Sequence, residues 1–404
     1  MDEEMDVDIP DPIPQLVQEG GKIVLIVLDG LGGFRSSEHP SEVFAANTPN
    51  LDALASEGSI GLHIPVAPGI TPGSGAGHLA LFGYDPLRWD IGRGALSAAG
   101  LGIDLKQGDI AARVNFCRLA DGIVQDRRAG RLPTNEAERL AGLVTQGVDL
   151  DLEVELRSEK EHRGVLVLRG EGLSPFVSDT DPGADGKPPL DPEPRDRDDE
   201  ASVRTAKLIQ DFINQAGRIL ADEKANFLLL RGIEGKVNIP TMGERYGLRA
   251  SALASYPTYL GIARILGMSA TEIDLPGAAK AIETSWENHD FFFVHYKPTD
   301  SAGEDGDFDA KVAAIEAADR EIPALLSGNP EVVCVTGDHS TPSQMRSHSW
   351  HPVPFLMSGH RVGQDTQTAF DEESARQGGF GEREATDLMP LMLAAASRLR
   401  KYGA

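Results

Sequence analysis

Several carboxylates and imidazoles in this sequence stand directly after apolar runs, where their types and spacing suit cation binding. Asp29 follows IVLIVL at 23–28, and Asp300 and Glu304 lie beyond DFFFVHYKPT, in a segment expected to be a loop loosened by Gly303 and Gly306. Asp338 and His339 follow EVVCVTG, and His348 stands just ahead of the short run at 353–357. Parallel α/β sheets gather ligands outside the carboxyl ends of their strands. Carboxylates and imidazoles drawn from separate strand ends form the N and O ligand set that a cluster of divalent cations needs. Taken singly, an Asp after a strand is more often a turn former or a helix cap, and His348 or His351 could be a surface residue. Recurrence at one strand end after another is what points to metal.

A second feature is APGITPGSGAGHLALFGYDP, where Ser74 stands between glycines that let the backbone turn sharply and expose a hydroxyl. A serine is a poor nucleophile unless a base or a metal activates it. The stretch fits neither a G-x-S-x-G elbow nor a Walker A loop, which would need a closing Gly-Lys-Ser/Thr. Composition alone favours a glycine turn here. A third feature is a scatter of arginines: Arg127, Arg128 and Arg131 after Asp126, then Arg163 after His162, and Arg231. In an acidic chain, paired arginines beside glycine turns suggest an anion site, against the alternative of surface salt bridges.

The elements that position these residues follow from periodicity. Ile23–Leu28 is an uninterrupted β-branched and Leu run that suits a strand buried on both faces. After it, TPNLDALASEG predicts a helix, with Thr48 as cap and Pro49 in the first turn. Asp290–Val294, Glu331–Val335 and Val353–Met357 read as further strands. The segment DFDAKVAAIEAADREIPALL reads as a helix capped by Asp307, and Thr386 opens a C-terminal helix. Strand-like runs GVLVLRG at 164–170 and NFLLLRG at 226–232, an amphipathic helix near 201–223 and the long polar stretch DTDPGADGKPPLDPEPRDRDDE set the middle apart. The expected organisation is an acidic arm at 1–22, a discontinuous core of 23–105 with 241–404, and an inserted domain at 106–240.

The chain has 404 residues and a formal net charge of −25, from 38 Lys+Arg against 63 Asp+Glu. That balance argues against nucleic acid or an anionic membrane as partner, because both are repelled at long range. It does not exclude a small anion held by local cations. Hydrophobic content of 40% with 25% charged residues is ordinary for a soluble globular protein. Cys117 and Cys334 are far apart, which excludes a disulfide framework and a Cys-rich zinc site and is compatible with a reducing compartment. The start of the sequence lacks the basic region of a secretory signal, and IVLIVL is too short to span a bilayer. The expectation is a cytoplasmic protein whose oligomeric state is left open.

VLDGLGG, TPNLDALASEG, PGSGAGHLALFGYDP, GRGALSAAGLGIDL, GDIAARVNF, DRRAGR, HRGVLVLRGEGLS and GDHSTP together resemble the archaeal-type 2,3-bisphosphoglycerate-independent phosphoglycerate mutases of the alkaline phosphatase superfamily. The likeness runs from about residue 23 to the C-terminal helix. It implies a mostly parallel sheet flanked by helices, with a smaller inserted α/β (α+β) domain. It also implies interconversion of 2- and 3-phosphoglycerate in glycolysis and gluconeogenesis, through a phosphoserine. The implied cofactors are two divalent cations, commonly manganese, with magnesium, cobalt or zinc as alternatives. By resemblance, Asp29, Ser74, Asp338 and His339 surround one cation, while Asp300, Glu304 and His348 hold the other. Ser74 is the implied nucleophile and Asp126 the general acid/base. Arg127, Arg163, Arg231 and Arg245 would clamp the carboxylate and phosphate of a three-carbon acid. One departure stands out: the family pattern Asp-x-x-Gly-His is here Asp300-Ser301-Ala302-Gly303-Glu304. Two other readings compete. A phosphatase or another phosphomutase on the same fold would share nucleophile and metals, and differ in whether water attacks the phosphoserine. A non-catalytic metal-binding protein would have no need of Ser74.

Overall fold

A computed structural model describes residues 12–37, 39–89 and 91–403 of the chain. The chain divides into two compact units, Met1–Asp90 with Pro240–Tyr256 and Leu266–Ala404, and Ile91–Ile239 with Pro257–Ile265. Among the described residues the strands are, in chain order, β1 (Ile23–Leu28), β2 (Ser59–Ile64), β3 (Ile110–Ala120), β4 (Ile123–Asp126), β5 (Glu153–Lys160), β6 (Arg163–Arg169) and β7 (Phe227–Gly235). They continue with β8 (Ala250–Ala254), β9 (Ser269–Glu272), β10 (Phe291–Tyr296), β11 (Val332–Thr336), β12 (Val353–Gly359) and β13 (Gly381–Glu384).

The larger unit carries a sheet in the order β13-β2-β12-β11-β1-β10-β8-β9. It is parallel except where β12 runs against β11 and β2. β1 is central, with Leu28 level with Tyr296 of β10 and Val27 level with Thr336 of β11. Every residue of β1 is buried, which explains its unbroken apolar run. On one face Val24, Ile26, Leu28, Phe292, Val294, Val333 and Val335 join the apolar sides of helices Pro49–Glu57, Leu275–Ser285 and Phe308–Leu325. Asp307 caps the last of these by accepting the Ala310 N–H at 2.9 Å. Thr48 precedes its helix without a side-chain cap bond, and Pro49 alone starts the turn. Thr386 falls in a short 3₁₀ turn, and the helix proper runs Leu388–Ala395.

The second unit is an antiparallel sheet, β4-β3-β6-β5 with β7 on the other side of β3. Ala112, Val114, Phe116, Leu166, Leu168, Leu228 and Leu230 pack one face against helices Thr134–Gly147 and Glu200–Ile219. This unit begins ahead of the expected boundary at 106. Helix Arg93–Gly100 lies so close to β3 that a Cβ at Gly94 would clash with the Ala111 carbonyl. The unit also takes in helix Pro257–Ile265, whose Arg264 donates to the Ala99 and Gly100 carbonyls at 2.9 and 2.7 Å.

Of the acidic arm expected at 1–22, residues 1–11 lie outside the described residues. From residue 12 onward the segment is tied down rather than extended. Gln18 and Gly21 donate backbone N–H bonds to the carbonyls of Arg398 and Ala396, and the Arg398 guanidinium returns a bond to the Gly21 carbonyl. Among the described residues no helix is long and apolar enough to cross a membrane.

His63 on β2 gives this fold an acid limit. It is fully buried, with Nε2 at 3.0 Å from both the Gly337 carbonyl and Thr336 Oγ1. Burial pushes its pKa down to about 4. Between the ordinary histidine value near 6.5 and that figure, the unfolded chain binds the extra proton, so stability is complete above pH ~6.5 and falls as pH drops. The contribution lost by pH ~4 is roughly 3 kcal/mol. Urea titrations at pH 7 and 4.5 are expected to show this decline, shallower by about one proton in His63→Gln. A His63→Gln profile parallel to that of the parent would contradict it.

Candidate active site

The carboxyl ends of β11, β1 and β10 lie side by side, and each delivers one part of a polar cluster. Asp29 follows β1 directly, Asp338 and His339 follow β11, and Asp300 comes shortly after β10. All four are completely buried. Asp300 and Glu304 are not in a loop as expected. They lie four apart on helix Pro298–Asp305, which Pro298 starts and Gly306 ends in a left-handed conformation. The ligand atoms of Asp29, Asp338 and His339 lie within 4.8 Å of one another, as do those of Asp300, His339 and His348. His339 Nε2 is 3.4 Å from Asp29 Oδ1 and 3.3 Å from Asp338 Oδ2. His348 stacks on His339 with ring centroids 3.7 Å apart, its Nε2 3.6 Å from Asp300 Oδ1 and 3.7 Å from Glu304 Oε1. Glu304 is thus at the margin: its side chain is 55% exposed, and it belongs to neither three-residue group.

Ser74 opens helix Ser74–Leu81, with Gly73 before it in an extended conformation. The glycine turn and the nucleophile reading therefore describe one geometry, a hydroxyl on a first helical turn. Ser74 Oγ is 3.3 Å from His339 Nε2. One turn on, the buried His78 holds its Nδ1 2.8 Å from the Ser74 carbonyl and 3.1 Å from Asp338 Oδ2. Burial alone would lower the His78 pKa, but the Asp338 carboxylate outweighs it and the net shift is upward.

Three further residues had drawn no role from the sequence. His295, the penultimate residue of β10, has Nε2 2.9 Å from Asp29 Oδ2. The Lys297 ammonium donates to Asp29 Oδ2 at 3.3 Å and to Asp300 Oδ2 at 2.6 Å, reaching one carboxylate of each group. The Thr341 hydroxyl donates to Asp300 Oδ1 at 2.6 Å. Burial would raise the Asp29 carboxyl, yet the His295 hydrogen bond and the Lys297 charge hold it well below the ordinary range. Burial would depress Lys297, and Asp29 and Asp300 reverse that and keep it an ammonium. The useful sequence signal was the alternation Phe293, His295, Lys297, which puts all three on one face of the strand end.

These residues fit divalent cations. Asp29 Oδ1 is buried and accepts no hydrogen bond, although a buried, unsatisfied carboxylate oxygen is costly, and the buried Asp338 Oδ2 has only the His78 ring 3.1 Å away on its other side. Both lie beside the same imidazole nitrogen. Two such oxygens, an imidazole and a serine hydroxyl are the mixed N and O donor set of a borderline divalent ion.

The second unit holds a separate set of cations. Cross-strand partners share a face, and Arg113 pairs with Arg231 while Asn115 pairs with Arg163. These positions alternate with the core residues Ala112, Val114 and Phe116, so the three arginines line the sheet face opposite helices Thr134–Gly147 and Glu200–Ile219. Burial, with Arg163, Arg128 and Arg113, pushes His162 down to about 4, and burial with Arg231 lowers Arg93. Arg113 and Arg93 were not expected there. Arg127 is held by Asp181, which its Nε and Nη2 bond at 2.8 and 2.7 Å, and Asp181 Oδ2 is also 3.8 Å from Arg231 Nη1. Asp126 accepts the N–H groups of Arg128 and Gly130 at 2.8 and 2.6 Å, which makes it an anchor of the arginine turn before it is a proton carrier. Arg245 belongs to the larger unit, where its guanidinium lies over the rings of Tyr84 and Tyr246 at 4.8 and 5.3 Å.

Known proteins resemble this chain over nearly its whole length. The family model for 2,3-bisphosphoglycerate-independent phosphoglycerate mutase matches residues 55–226. A probable 2,3-bisphosphoglycerate-independent phosphoglycerate mutase of Thermus thermophilus is 47% identical over 393 residues, covering 95% of this chain and 96% of the relative. One so named from Aquifex aeolicus is 46% identical over 409 residues, covering 98% and 100%. Among solved structures, the PH0037 protein from Pyrococcus horikoshii aligns with a TM-score of 0.81 at 30% identity, over 95% of this chain and 100% of that one. The cofactor-independent phosphoglycerate mutase from Thermoplasma acidophilum aligns with a TM-score of 0.72 at 32% identity, over 93% and 100%.

Proposed function

The chain belongs to the 2,3-bisphosphoglycerate-independent phosphoglycerate mutases, and we propose that its Ser74 carries the phosphoryl group between the two hydroxyls of glycerate. It is an isomerase, an intramolecular phosphotransferase acting on phosphoglycerate. The observation that supports the serine role is the placement of Ser74 Oγ 3.3 Å from His339 Nε2, the same nitrogen that lies 3.4 and 3.3 Å from the buried oxygens Asp29 Oδ1 and Asp338 Oδ2.

Metal dependence comes with the family, and the finer assignment is ours. Asp29, Ser74, Asp338 and His339 would hold one cation, and Asp300, His348 and Glu304 the other. Manganese is the proposed ion, with magnesium, cobalt or zinc as alternatives, because carboxylates outnumber imidazoles in the set. When bound, such ions lower the pKa of a serine hydroxyl and neutralise the oxygens of a transferring phosphoryl group.

The rest falls to the chain's own side chains. Ser74 Oγ gives up its proton and forms a bond to phosphorus as the bond from phosphorus to the substrate oxygen breaks. That oxygen takes up a proton, with Asp126 as the proposed acid and base for the substrate hydroxyls. Glycerate stays bound, and its other hydroxyl then attacks the phosphoserine. Arg163 and Arg231, with Arg113, would hold the carboxylate and free phosphate oxygens, since a guanidinium matches both in a bidentate manner. Asp181 keeps Arg127 and Arg231 oriented, and Asp126 fixes the turn that carries Arg127 and Arg128. Lys297 compensates the crowded carboxylates of Asp29 and Asp300. A cytoplasmic location is part of the proposal, consistent with the two buried, unpaired cysteines.

Isomerisation of 3-phosphoglycerate to 2-phosphoglycerate by the manganese-loaded chain, without accumulation of inorganic phosphate, tests this reading. Phosphate released faster than 2-phosphoglycerate forms would select a hydrolase instead.

A further inference from the structure

His339 belongs to both ligand groups, yet one imidazole can offer a lone pair from only one nitrogen while the other carries the proton. Thr341 decides which. Its backbone is fixed on both sides: the N–H donates to the carbonyls of Gly30 and Gly32 at 3.3 and 3.0 Å, and its own carbonyl accepts the Lys311 ammonium at 2.8 Å. Its hydroxyl lies 2.6 Å from Asp300 Oδ1 and 3.0 Å from His339 Nδ1. Nothing larger than glycine could stand at position 30, where φ is +62° and a Cβ would come within 2.5 Å of Thr341 Oγ1 and 2.7 Å of Asp300 Oδ1.

We propose that Thr341 is a positioning residue that sets the tautomer of His339 and so assigns this histidine to the cation group of Asp29 and Asp338. A threonine hydroxyl has one proton, and a carboxylate oxygen can only accept it. With that proton on the bond to Asp300, Thr341 Oγ1 must accept in its contact with His339, so Nδ1 carries the hydrogen. Nε2 is left with its lone pair, facing Asp29 Oδ1 and Asp338 Oδ2. Without the threonine the preference inverts, because an Nε2–H would find those two buried oxygens as acceptors. The same hydroxyl aligns Asp300, so a single side chain coordinates one ligand of each group. The second group is then left with Asp300 and His348, which makes Glu304 its third donor.

The proposal rests on reading Asp29, Asp338 and His339 as cation ligands, and two measurements separate the claims. In the metal-free full-length protein labelled with ¹⁵N-histidine, the His339 resonance (identified by its loss in His339→Gln) is expected to report Nδ1–H and unprotonated Nε2. Thr341→Val is expected to shift it to Nε2–H and to weaken Mn²⁺ binding, read by calorimetry, by about 10- to 100-fold. Thr341→Ser restores both, which a merely space-filling role would not do. An Nε2–H tautomer in the unaltered protein overturns the proposal even if Thr341→Val fails to fold, and so does a Thr341→Val chain that binds Mn²⁺ undiminished. Absence of Mn²⁺ binding by the unaltered protein, with the tautomer as expected, overturns the ligand reading instead.

Discussion

Replacing Ser74 by alanine is expected to lower isomerisation by about 10⁴-fold or more, since a covalent route without its nucleophile leaves only positioning and charge stabilisation. The fold should be untouched. The side chain caps nothing, and alanine suits the first turn of helix Ser74–Leu81 at least as well as serine. Cation binding should weaken by no more than about tenfold, because Asp29, Asp338 and His339 remain. The split is the informative part. A coupled assay should find activity gone while calorimetry still finds Mn²⁺ bound. Loss of both together would make Ser74 a ligand alone, and unchanged turnover would remove the covalent route.

Metal removal should have an effect of similar size. Charge neutralisation on a transferring phosphoryl group is worth several kcal/mol, on the order of 10³-fold or more in rate. Treatment with chelator should therefore reduce activity to background, and added Mn²⁺ should restore it better than Ca²⁺, which favours more oxygen ligands and a looser geometry. Glu304 refines this expectation. An exposed carboxylate 3.7 Å from His348 Nε2 can turn onto the second cation, and as a hard donor it favours Mn²⁺ or Mg²⁺. Glu304→His should keep activity within about tenfold while moving the preference toward Zn²⁺ or Co²⁺, which imidazole suits. A chelated enzyme with full activity would contradict the metal assignment. A Glu304→His chain that no longer binds a second ion would show that Glu304 does not stand where the family's histidine does.

The ligand set was legible because burial and chemistry left coincident marks. β1 and β11 are buried on both faces, so their sequences are unbroken apolar runs, and the first charged residues after them are Asp29 and Asp338. β10 was harder. Read as ending at Val294, it in fact continues to Tyr296, because His295 is buried against Asp29 and behaves as a core residue. A histidine satisfied by a partner 266 positions away leaves no local trace. Thr341 stood inside a recognised motif, but its role depends on Asp300 and His339 meeting in space.

Arginines were legible as a cluster and less so as individuals. Arg163 and Arg231 could be named, while Arg113 is seen only once β3 is paired in register with β6 and β7. Arg127 drew the same attention, but its partner Asp181 lies in the long polar stretch whose course no periodicity reveals. The start of the second unit is hard to see in the sequence for a related reason. Helix Arg93–Gly100 is small-residue and weakly patterned, and only its close approach to β3 assigns it to that unit.

Acid quenching of the manganese-loaded enzyme during turnover of ³²P-labelled 3-phosphoglycerate, followed by peptide mapping, bears most directly on the covalent route. Acid-stable label is expected on the peptide containing Ser74, appearing before labelled 2-phosphoglycerate and absent from Ser74→Ala. Isomerisation with no labelled protein at any quench time, or with label on another residue, would contradict it.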